Sequence, residues 1–424
     1  MLLGLLVALA LGVAWRWGWP GWPVADADLR FTPAPVPESA NAFPVLAAAG
    51  QALQFGDRDY FLLDDALKET DFSRARIEAV ITANAEALKR FGEAGDRPQF
   101  QVPAVPDSQT ALPYLDQWQA LARLTLFQAR FRGEAGDQQA ALDELLGLVR
   151  FGQRLEGAGG TVAHFALGVQ VQRLAAEEIL RHLPTLTLPP AALAAAARRL
   201  ADCQANPDGL RRTCRAEYAL WCADLDAIAA GTYRGGYADI PTVLACYPYP
   251  RLGLQVNTTR RGYSTFWRAL LADLDRPASQ RATWDPGPRP LPAPAWRLLL
   301  DPNHCGRHLR WDLTRRFAVL PRRAARSEME VRLCQAALAL RGYEREHGSL
   351  PAELGQLVPA WLPTAPAAVF SGGELRYCPA QRLLLTGGPG GTSTGMPTPP
   401  LPAGPDFSFA RFWHQRDPGL VLPP

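Results

Sequence analysis

Lysine is nearly missing from this 424-residue chain: of its 44 Lys and Arg residues, all but Lys68 and Lys89 are arginine. The formal net charge is only +3, and the arginines are interspersed with Asp and Glu. No basic stripe therefore marks a phosphate-binding face, and nucleic acid is not expected as a partner. Cysteine is scarce too. The seven, at 203, 214, 222, 246, 305, 334 and 378, form no CxxC pair and no zinc-like spacing, which argues against a Cys-based metal site and a disulfide framework. No GxSxG, Walker loop, GxGxxG or HExxH occurs, and six scattered histidines place no triad. No catalytic or cofactor-binding residue is singled out, and no cofactor is expected.

What is present starts at the N-terminus. Residues 2–14, LLGLLVALALGVA, are uninterrupted apolar or small residues that run into Trp15, Arg16, Trp17, Gly18, Trp19, Pro20, Gly21 and Trp22. Thirteen residues match a signal-peptide core, whereas a bilayer span needs roughly 20. With the tryptophans included the stretch reaches that length and ends in an aromatic belt. Ala25 and Ala27 offer a small-x-small cleavage pattern, but beyond bulky tryptophans. The expectation is an uncleaved anchor over 1–22, a single-pass membrane location and an exported, periplasmic body. A cleaved signal is the alternative.

The rest, with 48% hydrophobic residues in the whole chain, can fill substantial cores. Residues 23–45, rich in Pro and Ala, suit an extended linker. A mainly α body of helical hairpins is expected over 46–323. Its first clear helix is 74–91, where Ile77, Val80, Ile81, Ala85, Leu88 and Phe91 recur at steps of three and four. Residues 114–132 and 138–155, split by GEAGD, read as a helical hairpin; a tetratricopeptide-type unit would need a 34-residue period that is not found. Further helices are expected over 162–183, from Pro190 to Cys203, and over 210–230, 263–274, 305–320 and 324–347. A small α-plus-hairpin module is expected over 324–386, with strands at Leu375–Cys378 and Leu383–Thr386. The Gly- and Pro-rich tail 387–424 is expected to be mostly disordered.

A few side chains invite sharper readings. His304 and His308 stand at i, i+4 and could present two imidazoles to a metal, but Cys305, Gly306 and Arg307 supply no base between them. Capping and polar packing at a helix start is the expectation. Glu177, Glu178, Glu328, Glu330, Glu344 and Glu346 read as solvated helix faces rather than acid/base pairs. Trp118, Tyr218, Trp221, Trp267, Trp311 and Trp361 read mainly as core. Cys203 and Cys214 flank the NPDG turn between two helices, and an exported location permits a disulfide there.

Residues 336–378, AALALRGYEREHGSLPAELGQLVPAWLPTAPAAVFSGGELRYC, carry one resemblance. With Tyr343, Gly348, Leu350, Pro351, Leu354, Leu357, Val358, Pro359, Leu375, Arg376 and Tyr377 in matching places, the segment resembles a C-terminal module of N-terminally membrane-anchored bacterial proteins of planctomycete and verrucomicrobial type. More distantly it is similar to the globular part of type II secretion pseudopilins. The resemblance implies an envelope protein and brings no activity with it. In pseudopilins that region holds calcium through carboxylates. This chain has none between Glu374 and Asp406, so no metal is expected. The functional expectation is a membrane-anchored scaffold or interaction protein of the cell envelope, with other envelope proteins as partners. The alternatives are an exported hydrolase with a non-local site and a tetratricopeptide-like peptide binder.

Overall fold

The computed structural model describes residues 21–68, 72–203, 207–233, 253–281, 287–288, 301–370, 372–385 and 419–421. Helices dominate: α1 (Phe43–Gln51), α2 (Asp57–Leu67), α3 (Arg74–Ala83), α4 (Ala85–Glu93), α5 (Pro113–Glu134), α6 (Gln138–Glu156), α7 (Val162–His182), α8 (Pro190–Ala201), α9 (Pro207–Ala230), α10 (Val256–Leu274), α11 (His304–Phe317) and α12 (Leu320–His347). A small antiparallel sheet of β1 (Arg376–Cys378), β2 (Leu383–Leu385) and β3 (Gly419–Val421) follows in that order. The expected hairpin α5/α6 is present. The expected helix 74–91 is instead two, meeting at Asn84. Its buried amide donates to the Gln54 and Val80 carbonyls and accepts from the Gln54 amide, which ties the joint to the chain after α1.

Three apolar cores form. The main one gathers α1 and α4 to α8 around α12, with Leu354, Leu357, Phe370 and Leu384 of the C-terminal module. The second unites α9, α10 and α11 around Trp221, Tyr263 and Trp267. A small third joins α2 and α3 to Leu124 and Phe127 of α5. Two helices link the larger pair: α7 gives Phe165 to the second core and Val171 to the first, while α12 starts in the second at Leu320 and enters the first from Ala325.

Glycine sets the closest helix approach. A Cβ on Gly152 of α6 would lie 2.5 Å from the Gly168 carbonyl oxygen of α7, and one on Gly168 2.6 Å from the Gly152 oxygen. The two backbones meet with nothing between them, as only paired glycines permit.

Several expectations need correction. The segment placed in a spacer is docked at its start: Tyr218 donates to Asp26 at 2.7 Å, Asn257 to the Gly21 carbonyl at 3.0 Å, and Arg268 to Asp28 at 2.8 and 2.7 Å, while Leu29 enters the second core. Cys203 and Cys214 are free thiols in different cores, so the expected bridge is not formed. Glu178 and Glu330 are buried ion-pair partners rather than solvated residues. Glu344 is likewise half-buried, held by Arg341 and by a bidentate pair with Arg382 that ties the hairpin turn to α12. In the C-terminal module, Gly348 ends α12 at φ +74°, as expected of glycine in the left-handed region. Residues Leu354–Leu357 form a 3₁₀ turn, and β3 adds a third strand to the expected hairpin from within the tail. Residues 1–20, Cys246 and most of 387–424 lie outside the described residues. Among the described residues no helix is long and apolar enough to cross a membrane.

The glycines separate by contact. Gly152→Ala should destabilise by about 2 kcal/mol through backbone overlap at the α6/α7 crossing. Gly147→Ala, on the same helix with nothing within 4 Å of the added carbon, should stabilise by ~0.5–1 kcal/mol. Urea midpoints of the two variants check the opposite signs.

Candidate functional site

A groove of about 950 Å³ opens between α4, α5, α6 and the loop after α4. Its floor is aromatic. Phe91 meets Phe151 edge-on at 4.9 Å, and Phe151 stacks on Phe100 at 6.2 Å. Phe100 in turn lies on the edge of Trp118, which is fully buried and donates to the Leu46 carbonyl. Leu46, Leu88 and Leu148 complete the apolar wall. Gly92 of α4 and Gly147 of α6 line the groove, and a Cβ on either would meet nothing within 4 Å. The opening exists partly because side chains are absent there.

Charge is arranged around this floor. Arg154 of α6 donates to the Arg97 carbonyl at 2.7 Å and the Gln99 carbonyl at 3.0 Å, with longer contacts to Ala94 and Gly95, and its guanidinium lies over Phe100. One side chain thereby pins the loop that forms one lip. Glu144 accepts from Gln128 at 2.7 Å and from Arg132 at 2.5 Å, while its Oε2 has no hydrogen-bond partner; burial raises its carboxyl above the ordinary range despite Arg132. Asp143 pairs with Arg199. Lys89 and Arg150 add two more cations, so the groove carries five cations, Lys89, Arg132, Arg150, Arg154 and Arg199, against Asp96, Asp143 and Glu144. An apolar floor with a net positive rim can hold an apolar chain that bears carboxylates.

The residues proposed from sequence sit elsewhere. His304 and His308 lie on one face of α11, both buried, with ring centroids 5.1 Å apart. His304 Nδ1 is 3.1 Å from Asp301 Oδ2, and Arg307 also pairs with Asp301. They form a polar turn at the helix start, and no group of three or more His, Cys, Asp or Glu able to hold a metal occurs among the described residues. His164 was missed. It accepts from the Thr161 amide at 3.1 Å and meets Tyr114 Oη at 2.9 Å, closing a capping box at the start of α7. Burial lowers it to about 4, so it stays neutral and structural at physiological pH. Comparison with family models, curated proteins and solved structures finds no match.

Buried carboxyls elsewhere have a measurable effect. Burial raises Glu156 to about 8, against a hydrogen bond from Gln172, and raises Glu217 and Glu330 to about 7. Burial would also raise Glu178, but hydrogen bonds from His182 and Arg130 bring it down to about 2. A raised carboxyl contributes stability that is complete below its ordinary value and is lost as pH rises through the folded value. The lowered His164 works the other way, costing stability as pH falls below its ordinary value toward 4. Three raised carboxyls outweigh the one lowered histidine, so the melting temperature should be highest at about pH 4–5 and fall steadily toward about pH 8. Glu156→Gln should flatten that fall, as calorimetry across the range would show.

Proposed function

We propose that this chain is a membrane-anchored interaction protein of the cell envelope, held by residues 1–22, whose helical body binds a partner protein in the groove between α4, α5 and α6. The observation that carries the reading is the aromatic floor of Phe91, Phe100 and Phe151 under a net cationic rim. The occupant that fits is a partner's apolar segment flanked by Asp or Glu, since each element of the site then meets its complement. The C-terminal module's resemblance to anchored envelope proteins supports the same placement.

The docked N-terminal segment supports an uncleaved anchor. Cleavage after Ala25 or Ala27 would sever Asp26 from the body or detach the stretch before it, and loss of Asp26 would leave the buried Tyr218 hydroxyl without its 2.7 Å partner. An orphaned buried hydroxyl costs about 1–3 kcal/mol. The native protein should remain with membranes through alkaline and high-salt washes. A soluble product beginning near Asp28 would oppose the anchor.

The groove has a direct test in the full chain. A photo-crosslinking residue at Leu88, on the groove wall, should give a discrete adduct with one envelope protein in cells, and the same residue at exposed Arg58 should not. Gly92→Trp and Gly147→Trp, at positions where an added Cβ meets nothing, should occupy the groove and reduce that adduct by about tenfold, a change of ~1.4 kcal/mol. Adducts indifferent to both plugs, in variants that melt like the parent, would remove the groove from the function.

A further inference from the structure

The chain enters the folded body at a cationic corner. Gly21 is held against α10: its carbonyl accepts from Asn257 in the helix's first turn, and a Cβ on it would lie 2.7 Å from Thr258 Oγ1. Trp22 follows and is 68% exposed, one of few large apolar side chains left so among the described residues. Arg261 donates to the Trp22 carbonyl at 3.1 Å and is itself exposed. Helix α11 lies beside α10 in the same direction, because Asn303 accepts from the Gln255 amide and from Thr259 while Gly262 carries the side chain of Arg310. Both helix N-termini, where backbone dipoles favour anions, therefore come together near Gly21. Residues 304–326 hold seven arginines against a single acid, Asp312. On this corner Arg307 is paired with Asp301, Arg260 with Asp226 and Arg268 with Asp28. Neither Arg261 nor Arg310 is in any ion pair among the described residues.

We infer that the corner formed by Trp22, Arg261, Arg307 and Arg310 is a membrane-docking face that meets anionic lipid headgroups and fixes the tilt of the body on the bilayer. The inference rests on the anchored reading above. If residues 1–22 span the bilayer, roughly 20 residues are consumed in crossing and the first turn of α10 emerges in the headgroup layer. Tryptophan prefers that layer, and arginines within a Debye length of about 8 Å feel the negative potential of a leaflet that carries anionic lipid. The charge is thus placed where an anionic surface must be, on a segment too tightly docked to swing away.

The test uses the full chain reconstituted into vesicles of phosphatidylcholine alone or with phosphatidylglycerol, read by flotation and by phenylglyoxal modification of each arginine. Flotation with both lipids, with Arg261, Arg307 and Arg310 modified roughly fivefold more slowly on the anionic vesicles and Arg58 and Arg76 unchanged, is the expected result. Flotation with both and equal rates at all five arginines would overturn the docking face and leave the anchor standing. Salt-sensitive flotation with anionic vesicles alone, with the same three arginines protected, would support the face and overturn the anchor. No flotation with either would overturn both.

Discussion

From Leu333 to Leu340 every residue of α12 is buried, so this stretch has no solvent face and must be enclosed on all sides. A helix apolar all round can exist in water only inside other elements. The main core is the result: α7 and α8 pack along it, and the 3₁₀ turn of Leu354–Leu357 with the C-terminal hairpin closes the remaining side. Because α12 begins in the second core and runs into the first, the two cores cannot separate without exposing one end of it. Arg341 reinforces the enclosure by donating to the Pro184 carbonyl, and Arg345 does so at Leu186.

Helix positions were legible because periodicity reports which face is apolar and because Gly, Pro and Asp mark the breaks, as GEAGD does between α5 and α6. Position along the stripe was not enough where a polar residue turned inward. Asn84 looks like any surface amide in sequence, and only the Gln54 backbone opposite it makes it a break. The glutamates at 178 and 330 failed for the same reason. Spacing says that a carboxylate lies on a face, but not that Arg130 on another helix, or Arg326 one turn away, will neutralise it there. On α12 no single stripe would do, since from Leu333 to Leu340 every position is buried.

The groove was illegible for a different reason. Its wall comes from segments near residues 46, 88, 100, 128 and 150, each of which separately reads as an ordinary helix face or, near 100, as a proline-marked loop. The local signals were Gly92 and Gly147, residues that weaken a helix and make no contact that explains them. Gly152, five residues on, has such an explanation in the crossing with Gly168. Two glycines of identical sequence appearance thus do opposite things, one bringing backbones together and the other leaving space between side chains.

The docking of residues 21–28 has a consequence for how the molecule is made. Its partners, Tyr218, Asn257, Arg261 and Arg268, lie 192 to 243 residues further along the chain. A growing chain presents this early segment long before the helices that receive it exist, and contacts this distant in sequence form slowly even in a complete chain. The hairpin of α5 and α6 can pair while synthesis continues, but the main core waits for α12, which is later in the chain still. The early segment therefore stays undocked until α9 and α10 have been made, and the arginine corner takes shape only once α11 lies beside α10.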